Sequence, residues 1–286
     1  MTKKGNGSMG IRFAPLTERF GAEITQVQVK DLRGSDMAAL IRLLAERGVV
    51  VARGQDLAPE DFIVLMKKFG PLEFSIRDDF HLASHPDIYV ISNIVENGKN
   101  LGNPYDGFGW HTDMAFCERP TAYTALYSLE VPAEGADTLF SSAFDTYERL
   151  PVERQEALSR LTVRHSHDML HATRKSAPPL TEEQRARAPD VFHPLVRTHP
   201  MTGRKAVYLS SKSALPLGMP EPEGRQLIDE LVAMTSRPEN VYAHKWQVRD
   251  LVIWDNRGML HCATEYDRKK YRRLLYRLTV GGEKPF

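Results

Sequence analysis

Two histidines and one aspartate carry the strongest chemical signal in this sequence. His111 and Asp113 stand in Gly109-Trp110-His111-Thr112-Asp113, where a one-residue separation lets both side chains point to one side of a strand end or turn. His261 lies far downstream, after the segment Ile253-Trp254-Asp255-Asn256-Arg257-Gly258, which reads as a strand and a glycine turn, and it is placed to close the third corner. Two imidazoles and a carboxylate on one face leave open positions on a metal, the arrangement used by non-haem Fe(II) oxygenases. By itself a His-x-Asp is weak evidence in a chain with ten histidines. The run Arg272-Arg273-Leu274-Leu275-Tyr276-Arg277-Leu278 adds weight, because on a strand Arg273, Leu275 and Arg277 share a face. Two guanidinium groups would then enter the interior that receives His261. Four residues of strand span about 13 Å, so the two forks address different ends of a short dianion, or a dianion and a second anion. Salt bridges at the edge of the core are the competing explanation of the pair, with Trp254, Asp255 and Asn256 at hand as partners.

The other histidines, His81, His85, His165, His167, His171, His193, His199 and His244, read as surface, loop or satisfied core residues. Cys117 and Cys262 read as small core residues, since no base is placed beside either. Trp110 and Trp254, next in sequence to the candidate donors, read as core packing ahead of direct support for the donors, and Asn93 as a turn former ahead of a pocket-facing residue.

The elements that must position these groups are legible in part. Met37, Leu40, Ile41 and Leu44 follow helical spacing, with Ser35 placed as a cap and Gly48 as the stop. Val49–Ala52 reads as a buried strand. A second helix has Pro59 in its first turn, Phe62, Leu65, Met66 and Phe69 on one face and Gly70 as its end, and a third carries Leu227, Ile228, Leu231 and Met234. Between them lie β-rich runs at Ile88–Ser92, Ala122–Leu129, Thr138–Ser141, Thr162–His165, Ala206–Leu209, Val241–Val248, Leu251–Trp254 and Leu274–Val280. Strands with a few flanking helices predict a mainly β fold, a sandwich or jelly roll, rather than alternating βαβ units. The stretch 167–190, rich in charge and proline, predicts a lid or a solvated surface excursion inserted into a single domain over 11–286, after a frayed N-terminus at 1–10.

Composition narrows the class. Of 286 residues 42% are hydrophobic and 26% charged, which excludes a disordered, collagen-like or coiled-coil chain. Thirty-eight basic against thirty-seven acidic residues leave a formal charge of +1, so no bulk field draws nucleic acid or an anionic membrane, and anion recognition must be local. No apolar run approaches the roughly 20 residues of a membrane span. Two cysteines and the lack of an apolar leader segment predict a cytoplasmic protein.

The ordered set Trp110-His111-Thr112-Asp113, Ala136-Asp137-Thr138-Leu139, His193-Pro194-Leu195-Val196-Arg197-Thr198-His199-Pro200, Trp254-Asp255-Asn256-Arg257 with His261, and Arg272-Arg273-Leu274-Leu275-Tyr276-Arg277 resembles the taurine dioxygenase (TauD/TfdA) family of Fe(II)- and 2-oxoglutarate-dependent oxygenases. The resemblance runs from Leu16 to Phe286 and implies a double-stranded β-helix, a cupin-like jelly roll with flanking helices. It also implies that His111, Asp113 and His261 hold Fe(II), with O₂ as the oxidant. Thr138 and Arg273 would take the distal carboxylate of 2-oxoglutarate, and Arg277 would sit near its 1-carboxylate and the substrate's own anion. The implied reaction hydroxylates a small anionic molecule (sulfonate, carboxylate or sulfate ester), with C–heteroatom cleavage where the carbon bears one, and releases succinate and CO₂. Desaturation, epoxidation or cyclisation of an amino-acid-like or natural-product substrate uses the same ligands. Asp113 disfavours halogenation, since related halogenases carry a small residue there. Ser75 falls where taurine enzymes place a sulfonate-contacting histidine, and Glu73, Arg77, Asp78 and Asp79 make that wall charged, so taurine itself is disfavoured. The resemblance further implies a homo-oligomer that binds neither nucleic acid nor membrane. A Zn²⁺ hydrolase or isomerase on the same triad, and a catalytically silent jelly roll, are the competing readings.

Overall fold

A computed structural model describes residues 11–73, 80–104, 107–173 and 181–286. Residues 1–10, for which fraying is expected, Ser75, Arg77, Asp78, Asp79 and the middle of the 167–190 excursion lie outside the described residues. The chain lays down β1 (Phe13–Pro15), β2 (Ala22–Ile24), α1 (Gly34–Arg47), β3 (Val49–Ala52), α2 (Pro59–Lys67), β4 (Leu72–Glu73), β5 (His81–Leu82) and β6 (His85–Ser92). A ribbon, β7 (Val95–Glu96) and β8 (Lys99–Asn100), precedes β9 (Thr121–Glu130), β10 (Thr138–Ser142), α3 (Ala143–Glu148) and α4 (Val152–Ser159). There follow β11 (Thr162–His165), α5 (His167–Ala172), α6 (Glu182–Arg187), β12 (Val191–Pro194), β13 (Val196–Thr198), β14 (Lys205–Val207), β15 (Ala214–Pro216) and α7 (Glu221–Thr235). The last elements are β16 (Val241–His244), β17 (Leu251–Asp255), β18 (Met259–Ala263) and β19 (Leu274–Gly281).

The major sheet has the order β1-β2-β3-β17-β9-β19-β6-β5, with β4 paired to β19. All its pairs are antiparallel except β2 with β3. A smaller sheet, β16-β10-β18, faces it. Alternation along each strand sorts side chains between the two faces. Val49, Val51, Leu126, Val252, Trp254 and Leu275 pack inward with Phe140 and Met259 of the small sheet. Their neighbours Val50, Ala52, Ala125, Tyr127, Leu251, Ile253, Leu278 and Val280 pack outward under α1 and α2. Both faces are therefore buried, which is why Val49–Ala52 and Leu251–Trp254 read as unbroken apolar runs. A third cluster joins α3, α4 and α7 to the strands around Leu195 and Val207. The fold is the jelly roll predicted from the strand pattern.

Local departures have physical reasons. α1 begins at Gly34 with Arg33 as the flanking residue, so Ser35 lies inside the first turn and caps nothing. Gly48 ends it as expected, with φ +73° and its N–H donated to the Leu44 carbonyl. The strand predicted over Val241–Val248 stops at His244, because Asp250 Oδ2 accepts the Gln247 N–H and folds the chain into a turn before β17. The excursion contains the short helices α5 and α6, tied by Arg185 Nε to Asp168 Oδ1 at 3.6 Å. Among the described residues no helix is long and apolar enough to cross a membrane.

His165 corrects one reading. It is buried, but neither of its ring nitrogens finds a hydrogen-bond partner; its ring packs 5.5 Å from His193 and 5.6 Å from Tyr208. Burial, with His193 beside it, pushes its pKa down from 6.5 to about 3. The folded protein therefore keeps it neutral, while the unfolded chain takes up a proton below its ordinary value. This excludes the imidazolium and costs stability as pH falls from about 6.5 towards 3, by at most about 1.4 kcal/mol per pH unit. Urea unfolding of His165→Phe between pH 7 and pH 4 should lose one proton's worth of the parent's pH dependence; equal slopes would refute this account.

Candidate active site

His111 and His261 are joined by a reciprocal pair of backbone hydrogen bonds. The His111 N–H is donated to the His261 carbonyl at 3.0 Å and the His261 N–H to the His111 carbonyl at 2.9 Å. This antiparallel bridge adds the loop carrying His111 to the edge of β18, the strand that follows the expected glycine turn and carries His261 at its middle. It brings the imidazole centroids to 4.1 Å. Asp113, two residues on, presents Oδ1 at 3.6 Å from His111 Nε2 and 3.7 Å from His261 Nε2. The three donor atoms lie within 4.8 Å of one another, the one such group of three among the described residues.

The donor set could hold a divalent metal. His111 Nδ1 lies 2.7 Å from the Gly109 carbonyl, which can only accept, so Nδ1 carries the hydrogen and Nε2 offers its lone pair. Gly109 reaches this position with φ +83°, a conformation that favours glycine. Burial alone would raise the Asp113 pKa, but His261, His111 and the Arg277 guanidinium beside it hold it well below the usual carboxylate range. Two bonds of about 2.1 Å at a right angle span roughly 3 Å, so a modest contraction closes these donors on one ion. Two imidazoles with one carboxylate suit a first-row metal that keeps open positions for small ligands.

Around the triad lies a pocket that opens to solvent. Its polar lining is His111, Asp113, Thr138, His261, Arg273 and Arg277, so the structure brings together all six residues singled out in the sequence. Its apolar lining includes Ile91, Leu126 and Trp254. Glu73 is absent from the lining and instead pairs with Thr279 across β4 and β19.

Each polar group is held by its surroundings. Thr138 opens β10, opposite His244 and Ala263, and its Oγ1 accepts the indole N–H of Trp246 at 3.0 Å. Trp246 stands edge-on to His244, whose Nε2 meets Asp250 Oδ2 at 3.1 Å, and Asp250 also binds Arg53. Arg273 lies one residue before β19. Its N–H is donated to Asn93 Oδ1 at 2.8 Å, and its carbonyl accepts the Ser92 hydroxyl at 2.8 Å. Asn93 Nδ2 donates in turn to the carbonyls of Arg268 and Tyr271, so this residue pins the loop that delivers Arg273. The Arg277 guanidinium lies 4.6 Å over the Tyr89 ring. Asp255, a sequence candidate for pairing these arginines, is instead taken by Arg257 and His199. Burial pushes the thiol of Cys117 up to about 12 and that of Cys262 upward, in keeping with their reading as non-nucleophiles.

Sequence reasoning missed Trp246 and took Asn93 for a turn former. Neither has a local signal, since each acts on a residue distant in the chain. Trp254 was read as packing; its ring does lie 4.7 Å from that of His261, but its indole N–H also binds Asn256 Oδ1.

Residues 12–279 match the family described as taurine catabolism dioxygenase TauD, TfdA family. The chain is 33% identical to the alpha-ketoglutarate-dependent 2,4-dichlorophenoxyacetate dioxygenase of Cupriavidus pinatubonensis over 93% of this chain and 96% of that protein. It is 29% identical to an alpha-ketoglutarate-dependent sulfate ester dioxygenase of Pseudomonas putida, covering 95% and 89%. Among solved structures, AAD-2 in complex with Mn(II) and N-oxalylglycine superposes with a TM-score of 0.87 at 28% identity, over 97% of this chain and 99% of that one.

The donor geometry can be tested without turnover. Titration of the metal-free protein with Mn(II) should show one tight site, and His111→Ala should weaken it by more than the roughly 10–100-fold expected from losing an outer-shell partner. Unchanged affinity in the variant would place the metal elsewhere.

Proposed function

The chain belongs to the TauD, TfdA family of dioxygenases, enzymes that use Fe(II), 2-oxoglutarate and O₂, and we propose that it hydroxylates a small organic anion: a carboxylate, a sulfonate or a sulfate ester. The balance is one 2-oxoglutarate, one O₂ and one substrate C–H converted to succinate, CO₂ and the alcohol. Where the attacked carbon bears oxygen or sulfur, the hydroxylated product expels that atom and leaves an aldehyde or ketone. The observation that carries this reading is the convergence of His111, Asp113 and His261 beside Arg273 and Arg277 in one cavity.

In this reading His111 Nε2, Asp113 Oδ1 and His261 Nε2 hold Fe(II). When bound, the iron and its keto-acid cosubstrate supply the oxygen activation and the oxidising electrons, chemistry no side chain here offers. Arg273 and the Thr138 hydroxyl take the distal carboxylate of 2-oxoglutarate through charge-assisted bonds. The Trp246 N–H occupies a lone pair of Thr138 Oγ1, which leaves the hydroxyl hydrogen free to donate to that carboxylate. Arg277, stacked on Tyr89, keeps its charge in the cavity and orients the substrate anion, so the target C–H points at the metal. Ile91, Leu126 and Trp254 give the cavity a dry wall that suits a substrate with an apolar body behind its anionic end.

Anaerobic addition of Fe(II) and 2-oxoglutarate should produce a weak visible charge-transfer band that His111→Ala abolishes. Succinate release assayed over aryloxyalkanoates, alkyl sulfonates, sulfate esters and amino acids should then rise above the substrate-free rate for a member of the first three classes. In Arg277→Ala that stimulated release should fall; if it persists undiminished, Arg277 does not hold the substrate. Stimulation by amino acids alone would refute the substrate class.

Trp246→Phe removes one half-buried hydrogen bond of about 1–1.5 kcal/mol. The KM for 2-oxoglutarate should rise about 5–10-fold with kcat near the parent's. A fall in kcat at constant KM would mean that Trp246 does not act through cosubstrate binding.

A further inference from the structure

We propose that Asn256 and Thr124 are positioning residues that commit one carboxylate oxygen of Asp113, so that it ligates through the other oxygen alone. This rests on the metal reading above and extends it to residues that touch neither metal nor substrate.

The orientation of Asn256 is settled by chemistry. Its Oδ1 receives the backbone N–H of Asp113 at 3.0 Å and the indole N–H of Trp254 at 3.1 Å, two groups that can only donate. The amide nitrogen therefore faces the other way, where it lies 2.9 Å from Thr124 Oγ1. An amide nitrogen cannot accept, so Thr124 Oγ1 is the acceptor of that bond. The single hydroxyl hydrogen of Thr124 is left for Asp113 Oδ2, 2.7 Å away, which as a carboxylate oxygen can only accept. The donors run in one direction, from Asn256 through Thr124 to Asp113. All three residues and Trp254 are buried, so no bulk water competes for these bonds. The Thr112 hydroxyl, donated to the Asn256 carbonyl at 2.7 Å, ties the two loops together a second time.

The result is an asymmetric carboxylate. Oδ2 is spent on Thr124, and Oδ1 faces both His Nε2 atoms. A carboxylate that chelated through both oxygens would take a further position on an octahedral ion, leaving too few for a bidentate keto acid and O₂ together. Asn256 sets both the backbone and the side chain of Asp113, one directly and one through Thr124.

The test uses full-length metal-free protein and Co(II), with affinity read by titration and stability by urea unfolding. Thr124→Val keeps the shape and removes the donor, and should weaken Co(II) binding about 10–100-fold, the range for an outer-shell partner. Thr124→Ser restores the hydroxyl and should bind within a few-fold of the parent. Asn256→Asp, whose carboxylate cannot donate to Thr124, should weaken binding as Thr124→Val does and decides the matter if that variant does not fold. Parental affinity in folded Thr124→Val or Asn256→Asp, with stability alone reduced, would overturn the proposal, as would a Ser variant as weak as Val. Failure of the parent to bind Co(II) would instead overturn the metal reading and this inference with it.

Discussion

The two backbone hydrogen bonds between His111 and His261 are the constraint on which the site depends. They turn a separation of about half the chain in sequence into a single step across a strand pair. Because side chains alternate along a strand, a slip of one residue would send an imidazole to the opposite face and dissolve the donor set. The fold guards that register. The turn between β17 and β18 holds Gly258 against the Phe144 ring so closely that a Cβ there would lie 1.8 Å from Cε2. The Ala143 N–H is donated to the Gly258 carbonyl from the start of α3. Helix, turn and strand thus fix where His261 falls, and the bridge then fixes His111.

Around this bridge the sandwich separates two kinds of chemistry. The outward faces of β3, β17, β9 and β19 form an apolar seam with α1 and α2. Their inward faces carry Thr124, Leu126, Trp254, Leu275 and Arg277 toward the small sheet. Charges inside such a layer persist only when held, and each has its holder: Asp113 has Thr124 and Asn256, Arg277 lies on Tyr89, and Asp255 binds Arg257 and His199. Asp255 and Asn256 are adjacent, yet one neutralises a cation behind the site while the other accepts the Asp113 N–H within it. Alternation along the end of β17 explains the division.

What the sequence disclosed follows from the range of the interactions. His-x-Asp, the later histidine and the paired arginines were legible because each group's spacing carries its chemistry, and the long strands because their apolar runs reflect burial on both faces. The strands of two or three residues, such as β4, β5 and β14, were missed or displaced because pairing with distant partners, not local composition, makes them strands. β18 was invisible for the same reason: Met259–Ala263 is a strand by virtue of β10 and the His111 bridge. The supports were the least legible. Asn93 acts on residues more than 170 positions away, and Trp246 on one 108 positions away. His165 shows the converse, a buried ring with no polar partner that nothing in its flanking residues betrays.

The place of β19 has a consequence for how the molecule comes into being. This strand lies between β9 and β6 in the middle of the major sheet, yet it follows both in the chain by well over a hundred residues. During synthesis β6 and β9 emerge with their facing edges open, and neither can be sealed until residues 274–281 leave the ribosome. The closing strand is also the one that brings Arg277 and, at its mouth, Arg273. Completion of the pocket's lining and burial of the sheet's exposed edges are thereby one event, so a nascent chain that has not yet completed its sheet lacks two of the pocket's guanidinium groups.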